Sequence, residues 1–361
     1  VDCGVKDIEL VSKYSDKIDF IITDHHSLRD YDTEVKVKDS RKIGENIISS
    51  KALAVVHPAL NTNYPFQDIC GALLSWKFCY ALNEYIGAGV DMRKYIDLVA
   101  LGTICDIMPL IDENRTIVKL GLEQMKKTEN VGLKALFEVS RLDPKNIEAY
   151  HIGFIIGPRL NASGRLESAM EGVRLLTTNS YKNALETAKK LDNLNLKRQE
   201  LTQTYLEFAE EKIQMQRGNK LYFVYGEDWP QGIIGLIAGR LTEKYHRPVI
   251  AGSLSDGIIK ASARSIEEFN ISENLKHSNK YLLSHGGHAQ AAGLSLEHNK
   301  FDDLYNHLLE LAENTISEDA LERKLKIEAT ADIADLNIEI AHEVMKFSPF
   351  GHANNKPIIA L

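Results

Sequence analysis

Between Val1 and about Thr178, short β-branched runs alternate with helical stretches, and this alternation restricts the fold more than any other feature. Residues 18–23, 54–56 and 98–104 read as buried strands, because continuous apolar runs bounded by turn residues suit strands covered on both faces. Alternating strands and helices imply an α/β domain built on a parallel sheet. Each run ends in polar residues: Asp24-His25-His26, His57-Pro58 and Asp106. In open parallel sheets that carboxyl-terminal edge is where ligands bind.

A longer helical pattern starts near Ser180, a plausible N-cap, and carries Leu185, Ala188, Leu191, Leu194, Leu201, Tyr205, Phe208 and Met215 before Gly218. It predicts a long connecting helix over 179–218. Beyond it, strands are expected at 221–225, 248–251, 258–262 and 291–296, with a helix at 233–245. They form a second, smaller α/β domain over 219–315. With 361 residues, the chain accommodates two such domains and the beginning of a third from residue 322. The first domain is expected over 1–178.

Charge and apolar pattern exclude several classes of function. With 43 basic and 51 acidic residues the net charge is −8, so any nucleic-acid site must be a local basic groove. No apolar run approaches the roughly 18 residues of a membrane span, and Val1-Asp2-Cys3-Gly4 does not resemble a signal peptide. Cys3, Cys70, Cys79 and Cys105 lack CxxC spacing, which fits reduced thiols in a cytoplasm.

Asp24-His25-His26 offers two imidazoles and a carboxylate directly after a strand, where Mn²⁺, Mg²⁺ or Zn²⁺ are all possible. Asp2 and Asp106 lie at further expected strand ends, and three strand ends of one sheet can deliver ligands to one point. Taken singly, Asp2 reads equally as a cap or turn residue and Asp106 as a strand terminator. In Gly157-Pro158-Arg159-Leu160-Asn161-Ala162-Ser163-Gly164-Arg165-Leu166, a constrained loop presents two guanidiniums suited to phosphate, or to pairing with carboxylates such as Glu167. In Ser284-His285-Gly286-Gly287-His288-Ala289-Gln290-Ala291-Ala292-Gly293, small residues at a turn before a strand let backbone N–H groups approach an anion. Ser262 and Arg264 sit two apart in Lys260-Ala261-Ser262-Ala263-Arg264-Ser265 and share one strand face.

Together these segments resemble the successive motifs of the DHH phosphoesterase superfamily, in the order of its single-strand-specific exonuclease branch. The resemblance covers nearly the whole chain, including Pro349-Phe350-Gly351-His352-Ala353-Asn354, similar to the segment that enters an OB-fold in that branch. It implies a two-metal centre of Mn²⁺ or Mg²⁺ held by Asp2, His25 and Asp106. The family's first motif, a pair of aspartates, is expected upstream of Val1, which would leave the metal site of this chain incomplete and weakly active. The resemblance also implies phosphate contact by Arg159 and His288, and either phosphate contact or support of the metal shell by His26. A substrate groove follows from Asn161, Arg165, Gly286 and Gly287, and a terminal 5′-phosphate on Ser262 and Arg264. The expected activity is 5′-to-3′ hydrolysis of single-stranded DNA to 5′-mononucleotides in recombinational and mismatch repair. The expected form is a cytoplasmic monomer working beside a helicase and a single-strand-binding protein. The alternatives are a DHH phosphodiesterase of small oligonucleotides or cyclic dinucleotides, and a non-catalytic single-strand-binding scaffold.

Overall fold

In the computed structural model, residues 1–26, 41–43, 46–48, 51–60 and 63–361 are described. The chain opens with α1 (Ile8–Tyr14) and β1 (Ile21–Thr23), followed by an antiparallel pair, β2 (Arg41–Ile43) and β3 (Asn46–Ile48), and by β4 (Ala54–Val56). Strands β1 and β4 are parallel in the register Ile21↔Ala54 to Thr23↔Val56, as the sequence pattern predicts. The helices α2 (Gly71–Ile86), α3 (Ile96–Cys105), α4 (Asp112–Met125) and α5 (Val131–Val139) come next. Then α6 (Ala149–His151) runs through a π-helical stretch, Ile152–Ile156, into α7 (Gly157–Leu166) and α8 (Met170–Thr177). The predicted long helix is α9 (Tyr181–Gln214), begun where Ser180 Oγ accepts from the Asn183 N–H at 3.4 Å.

Two expectations are corrected here. Residues 98–104 are not a strand but most of α3, so Asp106 follows a helix instead of a sheet edge. A short run that is apolar on every side has no period to separate buried helix from buried strand. Packing settles it: a Cβ on Gly102 would lie 2.5 Å from Ala72 Cβ, and one on Gly121 would overlap Ala100 Cβ. Such close backbone approach joins α3 to α2 and α4 as helices. Residues 157–166 likewise form α7, not a constrained loop, and Pro158 lies just beyond the π-helical stretch Ile152–Ile156.

After α9 come β5 (Tyr222–Glu227), α10 (Gln231–Tyr245), β6 (Val249–Ser255), β7 (Ile258–Arg264), α11 (Ile271–His277), β8 (Ser284–His288), β9 (Ala291–Glu297) and α12 (Phe301–Thr315). The sheet order is β5-β6-β7-β9-β8, parallel only between β5 and β6. The period of two sorts its side chains. Leu221, Phe223 and Ile250 pack with Leu304 and Leu308 of α12, whereas Tyr222, Val224, Val249 and Ala251 pack with Ile233, Ile237 and Leu241 of α10. The glycine-rich segment expected as a turn is β8 itself: Gly287 has φ of 150°, and a Cβ there would overlap the Ala291 carbonyl oxygen across the hairpin.

The chain ends with β10 (Ala329–Thr330), α13 (Ile338–Met345) and β11 (Ile359–Ala360), β10 and β11 pairing in parallel. Two compact units result. Unit 1 comprises residues 1–158, 174–189 and 327–361; unit 2 comprises 159–173 and 190–326. Within unit 1, Arg115 donates to the carbonyls of Lys346 and Ser348 at 2.9 and 3.1 Å, and the Leu110 N–H donates to the His352 carbonyl at 2.7 Å. The last 35 residues are thereby docked on the start of α4.

Candidate metal centre and phosphate pocket

The loop leaving β1 is set by one carboxylate. Asp24, 2% exposed, accepts at Oδ1 from the N–H groups of His25 (2.8 Å) and His26 (3.2 Å) and from His26 Nδ1 (2.7 Å). Its Oδ2 accepts from the Val5 N–H at 3.1 Å. Burial alone would raise this carboxyl, but the hydrogen bonds from His26 and Val5 outweigh it and hold Asp24 below the ordinary carboxylate range. An ionised Asp24 makes His26 Nδ1 the donor of this bond. From β4, His57 Nδ1 accepts from the Ala59 N–H at 3.1 Å, so its Nε2 carries the proton given to the His26 carbonyl at 2.9 Å. Burial pushes His57 below the usual histidine range, which keeps it in this neutral form.

Three ligand-type side chains converge beside this loop. Asp2, His25 and His26 each offer a donor atom, all within 4.8 Å of one another. His25 Nε2 lies 3.0 Å from Asp2 Oδ1 and 3.5 Å from Asp106 Oδ2 at the end of α3. The Asp2 N–H donates to the Thr23 carbonyl at 2.7 Å, so this residue rides on the edge of β1. A Cβ on Gly71 would overlap Asp2 Oδ1, so only glycine at the start of α2 leaves that carboxylate its place. Partial burial raises the Asp106 carboxyl above its ordinary range; His25 opposes this and the like charge of Asp2 adds to it. Mixed imidazole and carboxylate donors, crowded and open to solvent on one side, fit a divalent ion such as Mn²⁺.

Unit 2 holds a cationic pocket. Arg264 on β7 donates from Nη1 to Ser262 Oγ (3.1 Å) and to the Ala263 carbonyl (2.8 Å). Arg165, at the end of α7, donates to the Gly232 carbonyl of α10 at 3.2 Å. A Cβ on Gly235 would stand 3.1 Å from Ser262 Oγ and 3.3 Å from Arg264 Nη2, so the glycine keeps the space before these donors open. Burial lowers both arginines from their ordinary range, and Arg165 adds repulsion at Arg264. Two guanidiniums that pair with no carboxylate among the described residues, together with a hydroxyl, suit a phosphate.

Residues 218–318 match the DHHA1 domain. Over 344 residues, 94% of the chain, the sequence is 35% identical to the single-stranded-DNA-specific exonuclease RecJ of Bacillus subtilis (strain 168), spanning 41% of that protein. Against RecJ of Escherichia coli (strain K12) the identity is 31%, covering 90% of this chain and 60% of the relative. RecJ from Thermus thermophilus, in a crystal structure with Mn²⁺, aligns with 99% of this chain and 50% of its own at a TM-score of 0.84 and 28% identity. The chain is similar to RecJ over nearly its whole length. It spans about half the length of these relatives.

The chain brings together the expected metal ligands Asp2, His25 and Asp106, and with them His26, whose expected role was phosphate contact or support of the metal shell. Only His25 and His26 follow a strand; the three-strand-end arrangement is replaced by a loop on β1 and the end of α3. Ser262, Arg264 and Arg165 also come together. Arg159 instead pairs with Asp192 of α9 at 2.9 Å, while Glu167 pairs with Lys190 at 3.0 Å. Asn161 is exposed on α7, and Gly286 and His288 are exposed on β8. Sequence reasoning passed over Asp24 and His57 as supports, although both stand in the polar clusters it noted. Gly71 and Gly235 carried no signal, because their value lies in what a side chain would displace.

Proposed function

We propose that the protein is a metal-dependent 5′-to-3′ exonuclease that hydrolyses single-stranded DNA to 5′-mononucleotides, in recombinational and mismatch repair. The observation that carries this reading is the convergence of Asp2, His25 and His26 beside Asp106, in a chain whose relatives are RecJ exonucleases. Asp2, His25, His26 and Asp106 would hold Mn²⁺ or Mg²⁺, the ions named in RecJ structures. When bound, such ions supply Lewis acidity to the scissile phosphate and its attacking water.

The chain's own residues orient the reaction. Asp24 fixes the ring of His26, and His57 fixes its backbone. Ser262, Arg264 and Arg165 receive the terminal 5′-phosphate and so set which bond is cut. Arg159, oriented by Asp192, and His288 contact the scissile phosphate; Asn161, Gly286 and Gly287 contact the strand. Residues 322–361 begin an OB-fold that adds single-strand affinity. A helicase and a single-strand-binding protein are the partners of a cytoplasmic monomer.

The test is the purified full-length protein with Mn²⁺ on 5′-labelled and 3′-labelled single strands, on duplex and on a dinucleotide. Stepwise release of mononucleotides from the 5′ end of the single strand, abolished by chelator, is the expected result. Hydrolysis confined to the dinucleotide would move the protein to the small-substrate phosphodiesterases, and binding without hydrolysis to the scaffolds.

A further inference from the structure

More positive charge surrounds Ser262 than one phosphate can use. Besides Arg165 and Arg264, α9 contributes Arg198 and α10 contributes Arg240. Arg198 is depressed first by burial and then by repulsion from Arg165 and Arg240, and Arg264 by repulsion from Arg165, so Arg165 lies near both Arg198 and Arg264, and the exposed Arg240 near Arg198. Arg240 follows Gly239, where a Cβ would lie 4.0 Å from Arg264 Cγ. Among the described residues none of the four pairs with a carboxylate, in contrast to Arg159 with Asp192. Moreover, Arg198 Nε is a buried donor with no acceptor among the described residues.

Guanidiniums do not shed their protons, so a cluster of four is balanced by an anion or not at all. A terminal phosphate carries at most about two negative charges and is served by Ser262, Arg264 and Arg165. Two positive charges and the orphaned Nε remain. We propose that Arg198 and Arg240 form the second half of this pocket and take the internucleotide phosphodiester that follows the terminal phosphate, so that the site grips the first two phosphates of a 5′ end. The inference rests on the terminal-phosphate reading above. It names residues that discriminate a strand from a released mononucleotide: the product has one phosphate and loses the second grip, which favours its departure.

Binding without turnover tests it, with the intact protein in chelator and three probes: a deoxynucleoside 5′-monophosphate, a 5′-phosphorylated dinucleotide and a nucleoside 5′-diphosphate. Because a charge-assisted hydrogen bond contributes roughly 1.5–3 kcal/mol, the dinucleotide should bind about 10- to 150-fold more tightly than the monophosphate. Arg198→Gln and Arg240→Gln should each remove most of that margin and leave monophosphate affinity within about threefold. Arg198→Lys, which keeps the charge and loses the fork, should keep part of it and guards against a simple folding defect. Equal losses on both ligands, or no loss on the dinucleotide, would overturn the proposal, as would a margin seen with the diphosphate alone. Arg264→Ala separates the two readings: if it spares monophosphate binding, the terminal pocket itself is wrong. If it abolishes that binding while Arg198→Gln and Arg240→Gln behave like the wild type, only the second grip fails.

Discussion

At Asp24 a single carboxylate accepts four N–H groups and thereby turns one imidazole toward the ligand cluster. Asp24→Asn keeps the shape but turns an NH₂ toward at least one of those donors. Losing such a support typically costs about 10- to 100-fold in metal affinity or activity, and the Mn²⁺ concentration for half-maximal hydrolysis should rise accordingly. An unchanged Mn²⁺ titration would mean that His26 needs no such support. Asp106→Ala removes a ligand outright, so hydrolysis should fall by about 1,000-fold or more while single-strand affinity stays within a few-fold. Retained turnover would exclude Asp106 from the centre. In the pocket of unit 2, Arg264→Ala should lower kcat/KM on 5′-phosphorylated strands by roughly 10- to 150-fold and leave 5′-hydroxyl strands nearly unaffected.

The elements divide into those that display a period and those that do not. The strands β7 and β9 alternate buried and open residues and the helices α9 and α10 repeat apolar residues at helical spacing, which made them legible, whereas β5 and β6 are continuous buried runs without that period, legible as strands by their shortness. α3 was not, since it is apolar around its whole girth, and its type is decided by glycines that admit neighbouring helices. The motif residues gave the ligand cluster, but not the helix that delivers Asp106. The same reasoning makes a prediction about α3 and α4. Gly121→Ala would drive a methyl into Ala100 Cβ and to within 2.6 Å of the Ile96 carbonyl oxygen. Overpacking of this kind costs about 1–3 kcal/mol, so thermal or denaturant unfolding should show a clear loss of stability. A neutral Gly121→Ala would show that α3 and α4 are more loosely packed than this contact implies.

Across the whole molecule the charge is −8, yet both proposed ligands of unit 2 are anionic and the proposed ligand of unit 1 is cationic. Attraction must therefore be local. The carboxylates of Asp2 and Asp106 crowd one unit, and four arginines crowd the other. Each unit has its own core: Ile69, Leu73, Val99 and Ile117 in unit 1, and the two faces of the five-stranded sheet in unit 2. A ligand that binds only the folded form stabilises what it binds, by roughly 2.7 kcal/mol at a hundredfold excess over Kd. Hydrogen exchange resolves where that stabilisation falls. Mn²⁺ should slow exchange in residues 20–26 and 96–110, and a 5′-phosphorylated dinucleotide given with chelator should slow it in 231–240 and 258–265. A dinucleotide that protected the metal segments while leaving 258–265 unchanged would show that the arginine cluster is not where the 5′ end is held.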